Sequence, residues 1–129
     1  MVIDSIGSLR SYEVLPTLSR YIPPLLLMGV IFALSSQPDL NSGLGTWDTV
    51  LRKLGHMAEF GLLWWLWRRA LGRPALAATV ALAYAATDEW HQWFVSGRVG
   101  SPLDWAIDAA GIAIAIALWA RYSQPRSVA

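Results

Sequence analysis

Apolar residues dominate four stretches of the chain, each bounded by polar residues, glycine or proline. These stretches are residues 21–36, 47–71, 75–95 and 103–122. A membrane-spanning helix needs about 20 predominantly apolar residues, and the third stretch meets that length easily. Soluble helices carry a polar face along their whole length, whereas residues 74–87 and 109–120 are apolar on every side. The pattern therefore predicts an all-α protein, an integral membrane bundle of four transmembrane helices.

The same stretches set the expected domain boundaries. A chain of 129 residues leaves room for one domain, residues 21–122. We expect residues 1–20 to lie along the cytoplasmic interface or to be loosely ordered, and residues 123–129 to form a cytoplasmic tail. Pro23 and Pro24 would then occupy the first turns of helix one, where proline is tolerated.

Composition supports a membrane protein and excludes several other classes. Hydrophobic residues make up 55% of the chain and charged residues only 15%, against roughly a quarter charged in soluble domains. The mean hydropathy is +0.40. A soluble domain this small has too little interior to bury that much apolar surface. A net charge of +1 without a basic stripe argues against nucleic-acid binding. The absence of cysteine excludes disulfides and thiolate ligands. Nothing in the sequence indicates the oligomeric state.

The distribution of basic residues predicts the orientation, because Lys and Arg are enriched in the short loops on the cytoplasmic side of the membrane. Three of them, Arg52, Lys53 and Arg98, fall on one side of the predicted bundle. Seven fall on the other: Arg10, Arg20, Arg68, Arg69, Arg73, Arg121 and Arg126. Both termini are therefore predicted in the cytoplasm, with residues 37–46 and 97–102 outside. Tryptophans are expected at the inner interface (Trp64, Trp65, Trp67, Trp119) and the outer one (Trp47, Trp90, Trp93, Trp105).

Ionisable residues recur at helical spacing in the outer parts of helices two, three and four. An ionisable side chain at the bilayer centre costs at least about 2.5 kcal/mol, so it faces protein or water and usually marks function. We therefore predict a polar vestibule, open to the extracytoplasmic face above an apolar plug. The candidate catalytic residues are His56, Glu59, Asp88, Glu89 and His91, and the candidate substrate-binding residues are Lys53, Gln92, Arg98, Asp104 and Asp108.

Several chemistries fit this set. The histidines among carboxylates can act as general base and acid, while Lys53 and Arg98 can clamp a phosphate or carboxylate. A divalent metal is also a candidate cofactor, because two-residue spacers place both side chains of a pair on one helical face. The metal-ligand candidates are His56, Glu59, Asp88 and His91.

Structural interpretations remain open for the individual groups. His56 with Glu59, or Asp88 with His91, can be a hydrogen-bonded pair that only joins helices. Asp104 can cap the first turn of helix four. Gly111 with Ala115 is more typical of a packing notch than of a substrate feature.

At these residues the sequence resembles the VanZ-like family of bacterial membrane proteins, which is named for a teicoplanin-resistance protein. The resemblance extends from about residue 25 to residue 120. It is carried by four motifs: Phe32-Ala-Leu-Ser-Ser-Gln-Pro38, Lys53-x-x-His56-x-x-Glu59-Phe60, Asp88-Glu89-x-His91-Gln92-x-Phe94-x-x-Gly97-Arg98 and Asp104-x-x-x-Asp108-x-x-Gly111. The chain departs from the family at Asp108, where asparagine is common.

The resemblance implies a multi-pass protein of the bacterial inner membrane whose outward-facing site acts on or binds a cell-envelope component. Its expected partners are the lipid bilayer and either a lipid-linked envelope precursor or a glycopeptide. The alternatives are a non-catalytic binding module, and a structural protein whose polar cluster only packs the helices. A transporter is disfavoured because no charged path continues toward the cytoplasm.

Overall fold

The computed structural model describes residues 3–38 and 42–124, with side chains from Thr17 onward. Its elements are four α-helices: α1 (Ile3–Ser35), α2 (Thr46–Leu71), α3 (Pro74–Gln92) and α4 (Pro102–Tyr122). The described residues contain no β-strand. The all-α prediction with four helices is thus confirmed, whereas most of the tail predicted at residues 123–129 lies outside the described residues.

Helix α1 differs from the prediction at its start. It begins at Ile3 rather than near Tyr21 and runs without a break for 33 residues. Pro23 and Pro24 therefore lie inside the helix, and their expected placement in its first turns is wrong. Hydropathy misplaced the start because the residues before Tyr21 are more polar but still helical. The interfacial location of residues 1–20 remains a prediction.

The ends of the other helices follow from their local sequence. Gly72 takes the left-handed conformation at φ 68° and donates its N–H to the carbonyl of Arg68 at 2.8 Å, which closes α2. Pro74 then starts α3, where its missing N–H costs nothing. This short connection makes α2 and α3 antiparallel neighbours. At α4, the hydroxyl of Ser101 accepts a hydrogen bond from the N–H of Asp104 and caps the helix.

Helix α2 is the centre of the bundle and packs against the other three helices. Helix α3 also contacts α1 and α4, whereas the described parts of α1 and α4 do not touch each other. In cross-section the four helices are therefore arranged as a diamond, in which α2 and α3 are in contact across the short diagonal and α1 and α4 occupy the two distant corners. The core along this diagonal consists of Ile31, Phe60, Leu63, Trp64, Ala77, Ala81, Ala85 and Ile112. Trp64 belongs to this core and donates its indole N–H to the carbonyl of Pro74 at 3.2 Å, so it is not an interface anchor.

Two glycines allow α2 and α4 to cross at very short range. A Cβ atom at Gly111 would lie 2.2 Å from the carbonyl oxygen of Met57. A Cβ atom at Gly61 would lie 3.0 Å from the carbonyl oxygen of Gly111 and 3.5 Å from the Cβ of Ala115. Small residues let helix backbones approach in this way. The interpretation of Gly111 and Ala115 as a packing notch is confirmed.

Two helical segments are long and apolar enough to cross a membrane, Thr17–Ser35 and Pro102–Tyr122. Only 11% and 17% of their most apolar windows are buried inside the protein. Large apolar side chains such as Leu26 and Leu118 instead point outward. A core helix of a soluble protein would hide these side chains, so their exposure fits a membrane protein.

Candidate functional site

The polar side chains meet at one end of the bundle, which we call the site end. The C-terminal ends of α1 and α3 and the N-terminal ends of α2 and α4 lie there. Three contacts between helices bring them together: Ser35 with Asp88, Lys53 with Asp104, and His56 with Asp108.

A cavity of about 190 Å³ opens at the site end, and we call it the polar cavity. Seven of the ten predicted site residues line it: Lys53, His56, Glu89, Gln92, Arg98, Asp104 and Asp108. Its remaining walls come from Thr49, Arg52, Gly97, Val99 and Ile107. Residues from α2, α3, α4 and the loop between α3 and α4 thus share one small space.

One contact across this space joins His56 of α2 and Asp108 of α4. The Nδ1 atom of His56 lies 3.3 Å from Oδ1 of Asp108. Asp108 is 1% exposed, and apart from this contact no donor among the described residues reaches its carboxylate oxygens. The crossing at Gly111 explains the approach, because Gly111 lies one turn after Asp108 and its backbone touches Met57, the neighbour of His56.

A second pair closes one side of the cavity. The ammonium group of Lys53 contacts the carboxylate of Asp104. The other oxygen of Asp104 accepts a hydrogen bond from the hydroxyl of Ser101 at 3.0 Å. Ser101 rather than Asp104 is therefore the capping residue of α4, and Asp104 links that cap to α2.

Glu89 and the loop after α3 form another wall. Glu89 is almost fully buried, and its carboxylate accepts a hydrogen bond from the backbone N–H of Ser101 at 3.0 Å. Gly100 lies so close to α3 that a Cβ atom there would be 2.1 Å from the carbonyl oxygen of Glu89. The indole N–H of Trp93 donates to the carbonyl of Gly100. These contacts hold the loop against α3.

Arg98 reaches over the cavity from the same loop. Gly97 precedes it with φ 77°, a conformation that favours glycine. The Nη2 atom of Arg98 lies 3.4 Å from the carbonyl oxygen of Leu34 on α1. Its Nε atom is buried and has no hydrogen-bond partner among the described residues. Arg98 therefore brings an unused donor to the cavity.

Three predicted site residues lie outside the polar cavity. Glu59 lines a neighbouring opening that it shares with His56 and Arg98. Asp88 and His91 line a cleft between α1 and α3. In that cleft the imidazole of His91 packs on the ring of Phe32, with centroids 4.3 Å apart.

Asp88 is embedded between α1 and α3. One of its oxygens accepts hydrogen bonds from the hydroxyl of Ser35 at 2.8 Å and from the amide of Gln92 at 3.2 Å. Its other oxygen and the Nδ1 atom of His91 are buried without a partner in the described part of the chain. Asp88 thus links two helices while keeping one acceptor unused.

Sequence reasoning missed Ser35 as a contributor to the site. It occurs in the first of the four motifs, but its buried partner Asp88 lies 53 residues further along the chain. The signal available was its position at the end of an apolar helix, where a serine also serves as an ordinary helix terminator.

The metal-ligand candidates do not come together. Across the described residues, no group of three or more His, Asp or Glu side chains is arranged to hold a metal ion. His56 and Glu59 share the neighbouring opening, whereas Asp88 and His91 line the cleft beside α1. The arrangement favours pairwise acid–base and hydrogen-bonding chemistry by these side chains.

Comparison with known proteins gives one match. A family model described as VanZ/LLP1 matches residues 11–123, which is most of the chain and includes all ten predicted site residues. No curated protein and no solved structure matches the chain significantly.

Proposed function

Because the chain belongs to the VanZ/LLP1 family, we propose that it is a multi-pass membrane protein whose polar cavity binds and acts on the head group of a cell-envelope component. In this proposal all four helices cross the bilayer of the bacterial inner membrane. The site end faces outward and both termini face the cytoplasm.

Helix lengths and charges support this topology. At 1.5 Å per residue, α3 and α4 are about 29 and 32 Å long, close to the hydrocarbon thickness of about 30 Å, and α2 exceeds it at about 39 Å. The ionisable residues in the middle of α2 and at the end of α3 line the polar cavity or its neighbours: Arg52, Lys53, His56, Glu59, Asp88, Glu89 and His91. The bias of seven basic residues to three supports cytoplasmic termini.

One observation carries the proposed function: the polar cavity contains buried polar atoms that the described protein leaves without hydrogen bonds. These are the Oδ2 atom of Asp108 and the Nε atom of Arg98, two residues that line the cavity. Native proteins pair the great majority of such atoms, so the exceptions call for an explanation. A ligand that offers an anionic acceptor to Arg98 and a hydroxyl or amine donor to Asp108 would satisfy them. Envelope head groups commonly combine these two features.

The contact between His56 and Asp108 supports chemistry in addition to binding. A buried carboxylate beside Nδ1 fixes the tautomer and orientation of an imidazole, which leaves Nε2 to exchange a proton with a substrate. In our proposal a hydroxyl group or water molecule attacks the head group through its oxygen, and His56 accepts the proton that this oxygen loses. His56 then returns that proton to the oxygen that leaves. Arg98 holds the anionic part of the substrate.

The experiment is a comparison of product formation. Purified protein reconstituted in liposomes is incubated with the total envelope lipid extract of its host, and the lipids are then compared by mass spectrometry. We expect a product with the wild type and none with His56→Gln, which keeps a polar side chain of similar size but loses the titrating imidazole.

The matched control is Asp48→Asn. Asp48 lies at the same end of α2 and contacts Ser42, outside the polar cavity, so this variant should behave as the wild type. Saturable binding of an extract component without any product would favour the binding module over the enzyme. If neither binding nor product depends on His56 or Arg98, the proposed function is wrong.

A further inference from the structure

A second open space adjoins the polar cavity and differs from it in chemistry. It has a volume of about 300 Å³, and its walls include Ala86, Glu89, Trp90, Trp93, Pro102 and Trp105. We call it the aromatic groove. It lies between the C-terminal end of α3 and the N-terminal end of α4, at the same end of the bundle as the polar cavity.

The polar ends of two tryptophans in the groove are already bonded. The indole N–H of Trp93 donates to the carbonyl of Gly100, and that of Trp105 donates to the carbonyl of Leu82 at 3.2 Å. The carboxylate of Glu89 is likewise bonded to the backbone N–H of Ser101. What these residues present to the groove is therefore mainly apolar ring surface, which suits hydrocarbon.

Glu89 lines both the aromatic groove and the polar cavity. The two spaces are therefore neighbours that share one wall residue. Together they offer a charged part beside an apolar part, which matches the two halves of a single amphiphile.

From this arrangement we infer that the substrate class is a lipid-linked anionic head group: the head group occupies the polar cavity and its hydrocarbon chain lies in the aromatic groove. The inference rests on the proposed function, because it assigns the head group to the cavity described there. It adds that the chain is recognised by the protein and is not merely dissolved in the surrounding bilayer.

A series of alkyl phosphates tests this inference. Binding of inorganic phosphate, propyl phosphate and hexyl phosphate to the detergent-solubilised protein is measured by calorimetry. If the groove receives the chain, the Kd of the wild type should fall by about fourfold per added methylene, the value expected for burial of a CH₂ group.

Two alanine variants separate the groove from other apolar surfaces. Ala86→Phe fills the groove, and it should abolish the dependence of Kd on chain length while leaving the affinity for inorganic phosphate unchanged. Ala117→Phe enlarges another exposed alanine, on α4, that lines neither the polar cavity nor the aromatic groove, and it should retain the wild-type dependence.

The outcomes distinguish the two proposals. A Kd that does not change with chain length in the wild type overturns the inference. A dependence that persists in Ala86→Phe also overturns it, because the chain then binds to another face or to the micelle. If Arg98→Gln leaves the affinity for the phosphate end unchanged, the head group does not bind in the polar cavity and the proposed function fails with the inference.

Discussion

The Nδ1 atom of His56 lies 3.3 Å from the Oδ1 atom of Asp108, and no other described residue donates to that buried carboxylate. A buried carboxylate with an unpaired oxygen is a costly arrangement, since an unpaired buried polar group costs about 1–3 kcal/mol. A protein that only needed to join two helices would be more stable with apolar side chains there. The pair is thus best explained by function, and its removal should separate function from stability.

We first predict the effects of two substitutions at Asp108. Asp108→Leu should change the free energy of unfolding by less than about 1 kcal/mol, because removal of a buried carboxylate offsets the loss of its contact with the partly exposed His56. The same variant should abolish product formation, since His56 loses its partner. Asp108→Asn keeps an acceptor oxygen for the imidazole and should retain most of the activity. Thermal unfolding and the lipid-product assay measure both effects. A loss of about 3 kcal/mol or more in Asp108→Leu would show that the carboxylate is a structural group.

The second prediction concerns the crossing of α2 and α4. Gly111→Ala places a methyl group against the backbone of Met57, so the helices must separate. We expect a loss of about 1–3 kcal/mol in the free energy of unfolding, as for an overpacked core, together with a loss of activity. The control is Gly29→Ala in α1, where nothing lies within 4 Å of the added methyl group. It should be neutral, or stabilising by up to about 1 kcal/mol. Equal behaviour of both variants would contradict the close crossing.

The third prediction concerns two adjacent serines at the end of α1. Ser35→Ala removes a donor from the buried carboxylate of Asp88 and should lower the free energy of unfolding by about 1–3 kcal/mol. Ser36 bonds only to the carbonyl of Phe32 in its own helix, so Ser36→Ala should change stability by less than about 0.5 kcal/mol. Chemical denaturation of both variants is the measurement. An unaffected Ser35→Ala protein would mean that the bond between α1 and α3 contributes nothing to stability.

Sequence patterns predicted the bounds of the helices better than they predicted which side chains meet between helices. The bounds of α2, α3 and α4 lie close to the apolar stretches because proline and glycine mark several of their ends. The start of α1 was missed because hydropathy indicates whether a segment prefers lipid or water, and it does not indicate whether the backbone is helical. Polar residues before Tyr21 continue the same helix.

Helical spacing found most of the site but could not assign the neighbours of each residue. His91 shares a face with Asp88 in the sequence, yet it packs on Phe32 of α1 outside the polar cavity. Glu89 lies about 100° further round α3 than Asp88, yet it lines the cavity. Which flank of a helix meets which partner depends on how the helices pack. Spacing within one helix does not contain that information.

The fourth prediction concerns the membrane topology. Green fluorescent protein, which fluoresces after folding in the cytoplasm, should be bright when fused to the C-terminus. Alkaline phosphatase, which needs the oxidising exterior, should be active when inserted after Ser42 in the connection between α1 and α2. The physical reason is the excess of arginines at the end of the bundle opposite the site end, which favours the cytoplasm. A dark C-terminal fusion with an inactive insertion, both well expressed, would reverse the orientation.

The most direct test of the central claim is a crystal structure of the protein purified from its host membrane and crystallised in a lipid mesophase. The claim is that the space around His56 and Asp108 is a ligand site. The account predicts non-protein density in the polar cavity, within about 3.2 Å of Arg98 Nε and of an Asp108 oxygen, and continuing into the aromatic groove. A cavity that holds only water, or that is closed by a direct ion pair between Arg98 and Asp108, would contradict it.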